Sequence, residues 1–292
     1  MHLLVQSALL GLLTGGVYAL MASGLTLVFG VMRVINVAQG ALVIVGAYLS
    51  HSLFTRFGID PLLSIVVLAP AMFVLGVAIQ LVVIRPLRGD EREELSLLVT
   101  WAIALGLEGG MSLLYSTTLR STNPSYANAS LEVLGYRLSV VRLAAFAISI
   151  AIVATLSLGL ARTGLGRSIR ATVQNPTSAR LLGIDAERVS AIGFGLSAAT
   201  AAAAGGIYGV VTPFNPGSHY DLISPLLSII VLGGLGSLVG AVVAALLMGI
   251  TEAVFAAEIS TTWSGFVFFI VLIVVLLVRP QGLFGVVERG AL

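Results

Sequence analysis

Few residues of this chain have side chains suited to chemistry, and none form a catalytic pattern. The histidines His2, His51 and His219 lie far apart and have no metal-ligand spacing. The chain has no cysteine, which rules out disulfides, thiol nucleophiles and thiolate metal ligands. It also lacks the G-x-x-x-x-G-K-[ST] pattern of a phosphate-binding loop. These features predict a chain that is not an enzyme, binds no cofactor or metal, and does not itself hydrolyse ATP.

Two acidic residues lie within long apolar segments and are therefore candidates for function. Placing a charge in hydrocarbon costs about 2.5–3.5 kcal/mol even on permissive scales, so such residues are rare and usually functional. Glu108 is expected near the middle of its segment and Glu252 in the outer part of its own. Each could line a polar cavity or be a protonated or hydrogen-bonded structural residue, and the sequence leaves both possibilities open.

Two interruptions between apolar segments supply the other candidates. In the first, the amides Asn36 and Gln39 are three residues apart and would share one face of a helix. The glycine-rich stretch 233–240 could be its counterpart in the second half. Broken backbone at membrane depth is tolerated only where it is buried in protein or lines a cavity. Both interruptions could therefore line a cavity, and Gly233, Gly234 and Gly236 join Glu108 and Glu252 as candidate residues of a translocation route.

The composition predicts an integral membrane protein. Of the 292 residues, 58% are hydrophobic and 10% are charged, whereas about 25% are charged in a soluble domain. No polar block or Pro/Ser-rich linker divides the chain, so we expect one transmembrane domain over residues 1–292. The net charge is only +2. Its arginines lie in short loops without interleaved aromatic residues, so we expect no nucleic-acid partner.

Apolar segments of about 20 residues predict transmembrane helices, so we expect an all-α, polytopic helical bundle in the lipid bilayer. The segments are 7–31, 38–55, 62–84, 95–117, 140–161, 189–212, 222–235, 237–257 and 264–279. This division gives nine spans, or eight if the glycines at 233–237 only bend one helix. Small residues are dense within the spans and predict close packing of helix backbones.

The arginine distribution predicts the orientation, because cytoplasmic loops are enriched in basic residues. With the N-terminus outside, eleven arginines fall on the inner side and four on the outer side. The inner residues are Arg33, Arg85, Arg88, Arg92, Arg162, Arg167, Arg170, Arg180, Arg188, Arg279 and Arg289. The outer residues are Arg56, Arg120, Arg137 and Arg142. We therefore predict an external N-terminus and a cytoplasmic C-terminus.

Two loops have predicted structure of their own. In the outer loop, 118–139, Gly135 between two β-capable runs predicts a small hairpin that could face a soluble partner. In the inner loop, 162–188, Asn175 and Gly183 have the positions of residues that begin and end a helix over 176–182.

That inner helix is too short to be stable alone in water, so the bilayer surface or a partner protein must hold it. Ala179 and Leu182 lie three residues apart and could face the partner, flanked by Arg180. Asp185 is expected to cap the helix that follows.

Five passages, in order along nearly the whole chain, resemble the permease subunits of branched-chain amino acid ABC transporters of the LivH type. They are Gly15-Gly16-Val17-Tyr18-Ala19-Leu20 with Gly24-Leu25-Thr26; Ile35-Asn36-Val37-Ala38-Gln39-Gly40; the loop from Gly164-Leu165-Gly166-Arg167 to Leu181-Leu182-Gly183-Ile184; Val231-Leu232-Gly233-Gly234-Leu235-Gly236-Ser237 with Gly240; and Leu277-Val278-Arg279-Pro280-Gln281-Gly282-Leu283-Phe284-Gly285. Histidine is common in that family where Gln39 stands, and Glu108 has no expected counterpart there.

The resemblance implies a permease subunit in the bacterial inner membrane, with type II-like importer architecture and short cytoplasmic coupling helices. Its implied partners are a homologous second permease in a heterodimer, two cytoplasmic ATPases that bind ATP and magnesium, and an extracytoplasmic substrate-binding protein. Near the ATPase surface the resemblance places Arg167, Arg170, Asn175, Ala179, Leu182 and Gly183. It places Asn36, Gln39 and Gly40 near the translocation route.

Other functions remain possible from the sequence alone. An importer of the same architecture could carry urea, short amides or other amino acids. The chain could also be a stand-alone secondary transporter or channel, although its few membrane-buried charges argue against that, or a structural membrane scaffold.

Overall fold

Eleven α-helices and one β-hairpin make up the part of the chain that the computed structural model describes, residues 2–32, 34–87, 92–133 and 135–285. The helices are α1 (His2–Met32), α2 (Gln39–Phe57), α3 (Pro61–Ile79), α4 (Arg92–Tyr115), α5 (Val140–Arg162), α6 (Gly164–Gln174), α7 (Pro176–Leu181), α8 (Ala186–Val211), α9 (His219–Gly233), α10 (Leu238–Glu258) and α11 (Phe266–Val278). A π-helical turn, Gln80–Ile84, continues α3, and a 3-10 turn, Pro216–Ser218, precedes α9. Arg33, Arg88 and Arg289 of the predicted inner set lie outside the described residues.

Each predicted apolar segment corresponds to one helix, and the prediction of an all-helical membrane bundle is confirmed. The glycine run does separate two helices, because Gly234 and Gly236 have φ angles of 95° and 83° that end α9 and precede α10. Among the described residues, six helices are long and apolar enough to cross a membrane, namely α1, α3 with its π-helical turn, α4, α5, α8 and α10. The total of eight or nine crossings stays a prediction.

The antiparallel helices α1 and α8 form the centre of the bundle. Eighteen of the 26 residues of α8 are buried, against four of the 23 residues of α5 at the periphery. A side-chain carbon at Gly193 of α8 would touch Leu27 and Val31 of α1 at 3.3–3.6 Å. At the other end of the crossing, Gly24 lies against Thr200. Small residues thus allow the two central helices to approach closely.

The two halves of the chain repeat one arrangement in opposite directions. In the first half, a long helix (α1) is followed by a broken connector and a shorter helix (α2). The second half repeats this order with α8, the connector 212–218 and α9. Each long helix packs against the third helix of the other half, α1 against α10 and α8 against α3. The counterpart of the connector 34–38 is therefore 212–218, and the predicted pairing with the glycine stretch 233–240 is wrong.

The predicted hairpin in the outer loop is present. Strand β1 (Ser130–Val133) pairs antiparallel with β2 (Tyr136–Ser139), and Gly135 at the turn has a φ angle of 82°. The loop is held to the helix ends beneath it, where the Tyr126 hydroxyl donates to Asp60 at 3.0 Å. Burial, and then this bond to the carboxylate, raises the pKa of Tyr126 above its ordinary value. We call this side of the bundle the hairpin face.

The opposite side carries α6 and α7. Asn175 caps α7 by accepting from the Ser178 amide at 2.9 Å, and Gly183 follows with a φ angle of 81°, both as predicted. Asp185 caps α8 by accepting from the amides of Glu187 and Arg188 at 3.1 Å. The sequence did not predict α6, whose Ile169 packs against Leu27 and Val31 of α1. We call this side the coupling face.

The contact between α1 and α10 gives a direct test of the packing. A side-chain carbon at Gly11 would collide with the backbone of Gly249, and one at Gly249 would collide with that of Gly11, whereas Gly109 on α4 has open space around it. Gly11→Val and Gly249→Val should each destabilise the protein by about 1–3 kcal/mol or more, since overpacked backbone must move apart. Thermal melting in detergent, followed by fluorescence-detected size exclusion, measures the loss.

Gly109→Val is the matched control, because it makes the same change in a helix where the new side chain meets nothing. Equal melting temperatures for the Gly11, Gly249 and Gly109 variants would contradict the packing described for α1 and α10.

Candidate functional site

The two broken connectors bring polar groups into the middle of the bundle. Asn36 and Gln39 are 0% and 1% exposed, and their amides meet with Asn36 donating to Gln39 Oε1 at 3.4 Å. Only Gln39 is helical, because the connector stays non-helical up to the start of α2. Two predicted route residues therefore meet, although they do not share a helix face.

Gln39 joins three helices through its amide. It accepts from the Ser197 hydroxyl of α8 at 2.8 Å and donates at 3.4 Å to the backbone oxygens of Met21 on α1 and Ser197. The backbone of the connector is satisfied by α4, where Thr100 accepts from Val37 N and donates to Ile35 O, both at 3.3 Å. Broken backbone is thus buried in protein, as its membrane depth requires.

The starts of α2 and α9 touch each other. A side-chain carbon at Gly40 would lie 2.9 Å from the backbone oxygen of His219, so glycine permits this close approach. His219 is fully buried and its Nδ1 bonds the Pro216 carbonyl at 3.0 Å. The helix that follows the first connector therefore contacts the helix that follows its structural counterpart, and Gly40 is the predicted route residue at this contact.

Glu108 lies on one side of the start of α9. Its carboxylate accepts from the Tyr220 hydroxyl at 2.9 Å and lies 3.9 Å from Nε2 of His219. The side chain of Glu108 is 26% exposed, so the carboxylate is partly shielded and is held by a protein partner. Glu108 thus meets the second connector, which the sequence did not predict.

Glu252 lies on the other side of α9 and lines a cavity of about 590 Å³. Its carboxylate accepts from the Tyr18 hydroxyl at 3.1 Å. Asp221 of α9 also lines the cavity, so two carboxyl groups face the same space. The walls come from α1, α8, α9, α10, the segment 259–265 and α11, near the hairpin face. Glu252 therefore lines this cavity and is also hydrogen-bonded to α1, so it combines the two possibilities that the sequence left open.

The glycines of the second predicted interruption lie elsewhere, at the coupling face. The backbone amides of Leu283 and Phe284 donate to the carbonyls of Leu232 and Gly233 at 2.7 and 3.2 Å, so the segment after α11 covers this turn. Gly236 lines a second cavity, of about 270 Å³, together with Arg170 of α6. The structure therefore separates Gly233, Gly234 and Gly236 from the acidic residues.

The predicted coupling residues divide into two groups by what they contact. In the first group, Asn175 begins α7, Gly183 follows the end of α7, and Arg170 donates to the Leu160 carbonyl of α5 at 2.6 Å. The guanidinium of Arg167 and the side chain of Leu182 lie on the surface. Leu182 is 79% exposed.

The prediction that Ala179 faces outward is wrong. Ala179 is 2% exposed, because α7 turns this residue towards the protein. Its carbonyl accepts from the Ile184 amide. The outward apolar surface of α7 is instead formed by Leu181, which is 85% exposed, and Leu182.

The chemistry of the site is that of polar and acidic side chains gathered inside an apolar bundle. Within the described ranges, no three His, Cys, Asp or Glu side chains are grouped so that they could hold a metal ion. What the structure gathers is a buried amide junction and, beside the second connector, an acidic cavity with aromatic walls.

Several residues of this site were missed from the sequence. Tyr18, Tyr220 and Asp221 had no role assigned, and His219 was set aside because no metal-ligand spacing connects it to the other histidines. Their partners lie far along the chain, since 112 residues separate Tyr220 from Glu108 and 234 separate Tyr18 from Glu252. The one local signal was Asp221 at the start of an apolar segment.

Comparison with known proteins agrees with this architecture. The sequence matches the family described as "Branched-chain amino acid transport system / permease component" over residues 7–276. The high-affinity branched-chain amino acid transport system permease protein BraD of Pseudomonas aeruginosa is 32% identical over 299 residues, which cover 96% of this chain and 95% of that protein.

Two further relatives carry the name LivH. The permease protein LivH of Escherichia coli K12 is 30% identical over 305 residues, covering 96% of this chain and 95% of that protein. The probable branched-chain amino acid transport permease protein LivH of Methanocaldococcus jannaschii is 30% identical over 283 residues, covering 91% of this chain and 88% of that protein. No solved structure matches the chain. By the extent of these matches, the chain belongs to the family of branched-chain amino acid transport system permease components.

Proposed function

We propose that this chain is the transmembrane permease subunit of an ATP-binding-cassette importer and forms half of the translocation route for branched-chain amino acids. The observation that carries the proposal is the family match over residues 7–276. Relatives named as branched-chain amino acid permeases align with nearly the whole chain. An apolar bundle with polar connectors inside it is the construction that such a role requires.

The partners follow from the same proposal. Two cytoplasmic ATPase subunits would bind ATP and magnesium, and an extracytoplasmic binding protein would deliver the substrate. A homologous second permease would complete the route as a heterodimer. We place the protein in the bacterial inner membrane with the hairpin face outside, because the outer set of four arginines lies on that face or next to it.

The ATPase would bind the coupling face at α7. This helix has only six residues and is anchored by its caps, which leaves Leu181 and Leu182 exposed beside Arg180. Two adjacent leucines that are 85% and 79% exposed outside the long apolar helices are favoured as a protein contact. In this proposal Arg167 and Leu182 contact the ATPase, while Asn175, Ala179 and Gly183 hold the shape of the segment.

Transport would follow from switching between two arrangements of the permease pair. ATP binding draws the ATPases together, and α6 and α7 move with them. A ligand shifts such an equilibrium only by its differential affinity for the two states. The permease therefore needs only a weak site of its own, and the binding protein can supply most of the selectivity.

Uptake by the reconstituted complex tests the function. Proteoliposomes that contain this chain with its second permease and ATPases should accumulate leucine only with ATP inside and binding protein outside. Uptake driven by an ion gradient without the ATPases would instead support a stand-alone transporter. Uptake of urea or a short amide in place of leucine would change the substrate and leave the importer class intact.

The double variant Leu181→Asp/Leu182→Asp tests the coupling surface. Placing two charges at an apolar contact should reduce ATP-driven uptake by at least about tenfold, the effect of about 1.4 kcal/mol. Membrane insertion should be unchanged, because both positions are exposed to solvent. Uptake and ATP hydrolysis are measured on the same preparations.

Leu119→Asp is the matched control, since Leu119 is 68% exposed but lies in the loop on the hairpin face. The ATPase subunits should co-purify with this variant as fully as with the unchanged chain and much less with the α7 double variant, because Leu119 lies on the face opposite α7. Normal uptake by the α7 double variant would show that this helix does not bind the ATPase.

A further inference from the structure

The cavity beside α9 has the chemistry of an amino acid site, and its size is suitable. Its volume of about 590 Å³ falls within the range of about 300–1,000 Å³ usual for small-molecule sites. Such sites combine apolar walls with a few polar groups that fix orientation. The described residues that line this cavity divide in the same way.

The charges in the cavity are all negative. Asp221 and Glu252 are the two ionisable acids of the lining, and the described lining residues include no arginine or histidine. A cleft lined by one sign of charge concentrates ions of the opposite sign. The cavity therefore favours a cation, or the cationic end of a zwitterion.

The apolar wall of the cavity indicates which kind of cation the cavity suits. Phe266, Phe268 and Phe269 of α11 line the cavity together with Leu222 and Pro225 of α9. Phe268 is fully buried and packs edge-on against the Tyr18 ring at 5.9 Å between centroids. A bare metal ion gains nothing from such a wall, whereas an aliphatic side chain is removed from water by it.

We propose that this cavity binds the transported amino acid, with its ammonium group at Asp221 and Glu252 and its aliphatic side chain against the phenylalanines of α11. The proposal rests on the function proposed above and adds the residues and the chemical group recognised. Tyr18 is a positioning residue in this site, because its hydroxyl bonds the Glu252 carboxylate. Removing either acid should weaken recognition of the ammonium group specifically.

The absence of cysteine from the chain makes the cavity accessible to chemical labelling. Ser264→Cys places one thiol in the cavity wall with little change in shape. In the assembled complex, this thiol is reacted with a cationic (trimethylammonium) or an anionic (sulfonate) methanethiosulfonate, and labelling of this chain is followed by mass spectrometry. The rate ratio, cationic over anionic, reports the local charge.

Adding Asp221→Asn and Glu252→Gln to Ser264→Cys should lower this ratio at least about fivefold, because both negative charges are removed. Ser264→Cys with Glu258→Gln is the matched control. Glu258 ends α10, the helix that also carries Glu252, but it is exposed and does not line the cavity. The ratio of this control should not change. Size-exclusion chromatography checks that the Asp221/Glu252 variant is folded. An unchanged rate ratio in this folded variant overturns the proposal.

Ligand protection identifies the group recognised. Leucine should slow labelling of Ser264→Cys, and so should 3-methylbutylamine, which keeps the ammonium group of leucine but has no carboxylate. 4-Methylpentanoate, which keeps the carboxylate but has no ammonium group, should not slow it. Protection by 4-methylpentanoate, or by sodium ions as strongly as by leucine, overturns the proposal. If leucine protects the thiol in complexes that show no ATP-driven uptake, the cavity assignment stands and the proposed importer function fails.

Discussion

Close contact between helix backbones is the constraint on which this fold depends. Lipid offers helices no hydrophobic gain for associating, so van der Waals contact between small residues must hold them together. The contacts are reciprocal: Gly205 of α8 lies against the carbonyl of Val43, and Gly46 of α2 lies against Ala202 of α8. Gly11 and Gly249 do the same for α1 and α10. The two central helices are therefore each fixed to a helix of the other half, and this cross-packing is the basis of the inverted repeat.

This packing explains why two broken connectors are tolerated inside the bundle. Each connector would expose unsatisfied backbone if it met lipid, and each is covered by its neighbours. Thr100 of α4 bonds the first connector on both its donor and its acceptor side, and Arg120 of the outer loop exchanges two backbone hydrogen bonds of 2.8 Å with Phe214 of the second. The helices that follow the connectors meet where Gly40 contacts His219. The fold thus brings polar groups to membrane depth, and the candidate functional site lies around them.

Local features of the sequence predicted local structure well. Asn175, Gly183, Asp185 and Gly135 each act on neighbouring backbone, so their roles could be recognised without knowledge of the packing. The inward position of Ala179, the role of Thr100 and the two sides of α9 depend on contacts between distant segments. The inverted repeat was mispaired for a similar reason, because glycines occur at both helix breaks and helix crossings. Glu252 was recognised by its charge, but the cavity it lines is formed by six separate parts of the chain.

The short helix α9 runs between the two cavities described above. Its 15 residues span about 22 Å at 1.5 Å per residue, less than the hydrocarbon thickness of about 30 Å. Such a helix cannot cross the bilayer, so at least one of its ends lies within it. One end carries Tyr220 and Asp221 beside the acidic cavity, and the other ends at the glycine turn whose Gly236 shares the smaller cavity with Arg170. Arg170 belongs to α6, so α6 lies beside the turn that ends α9.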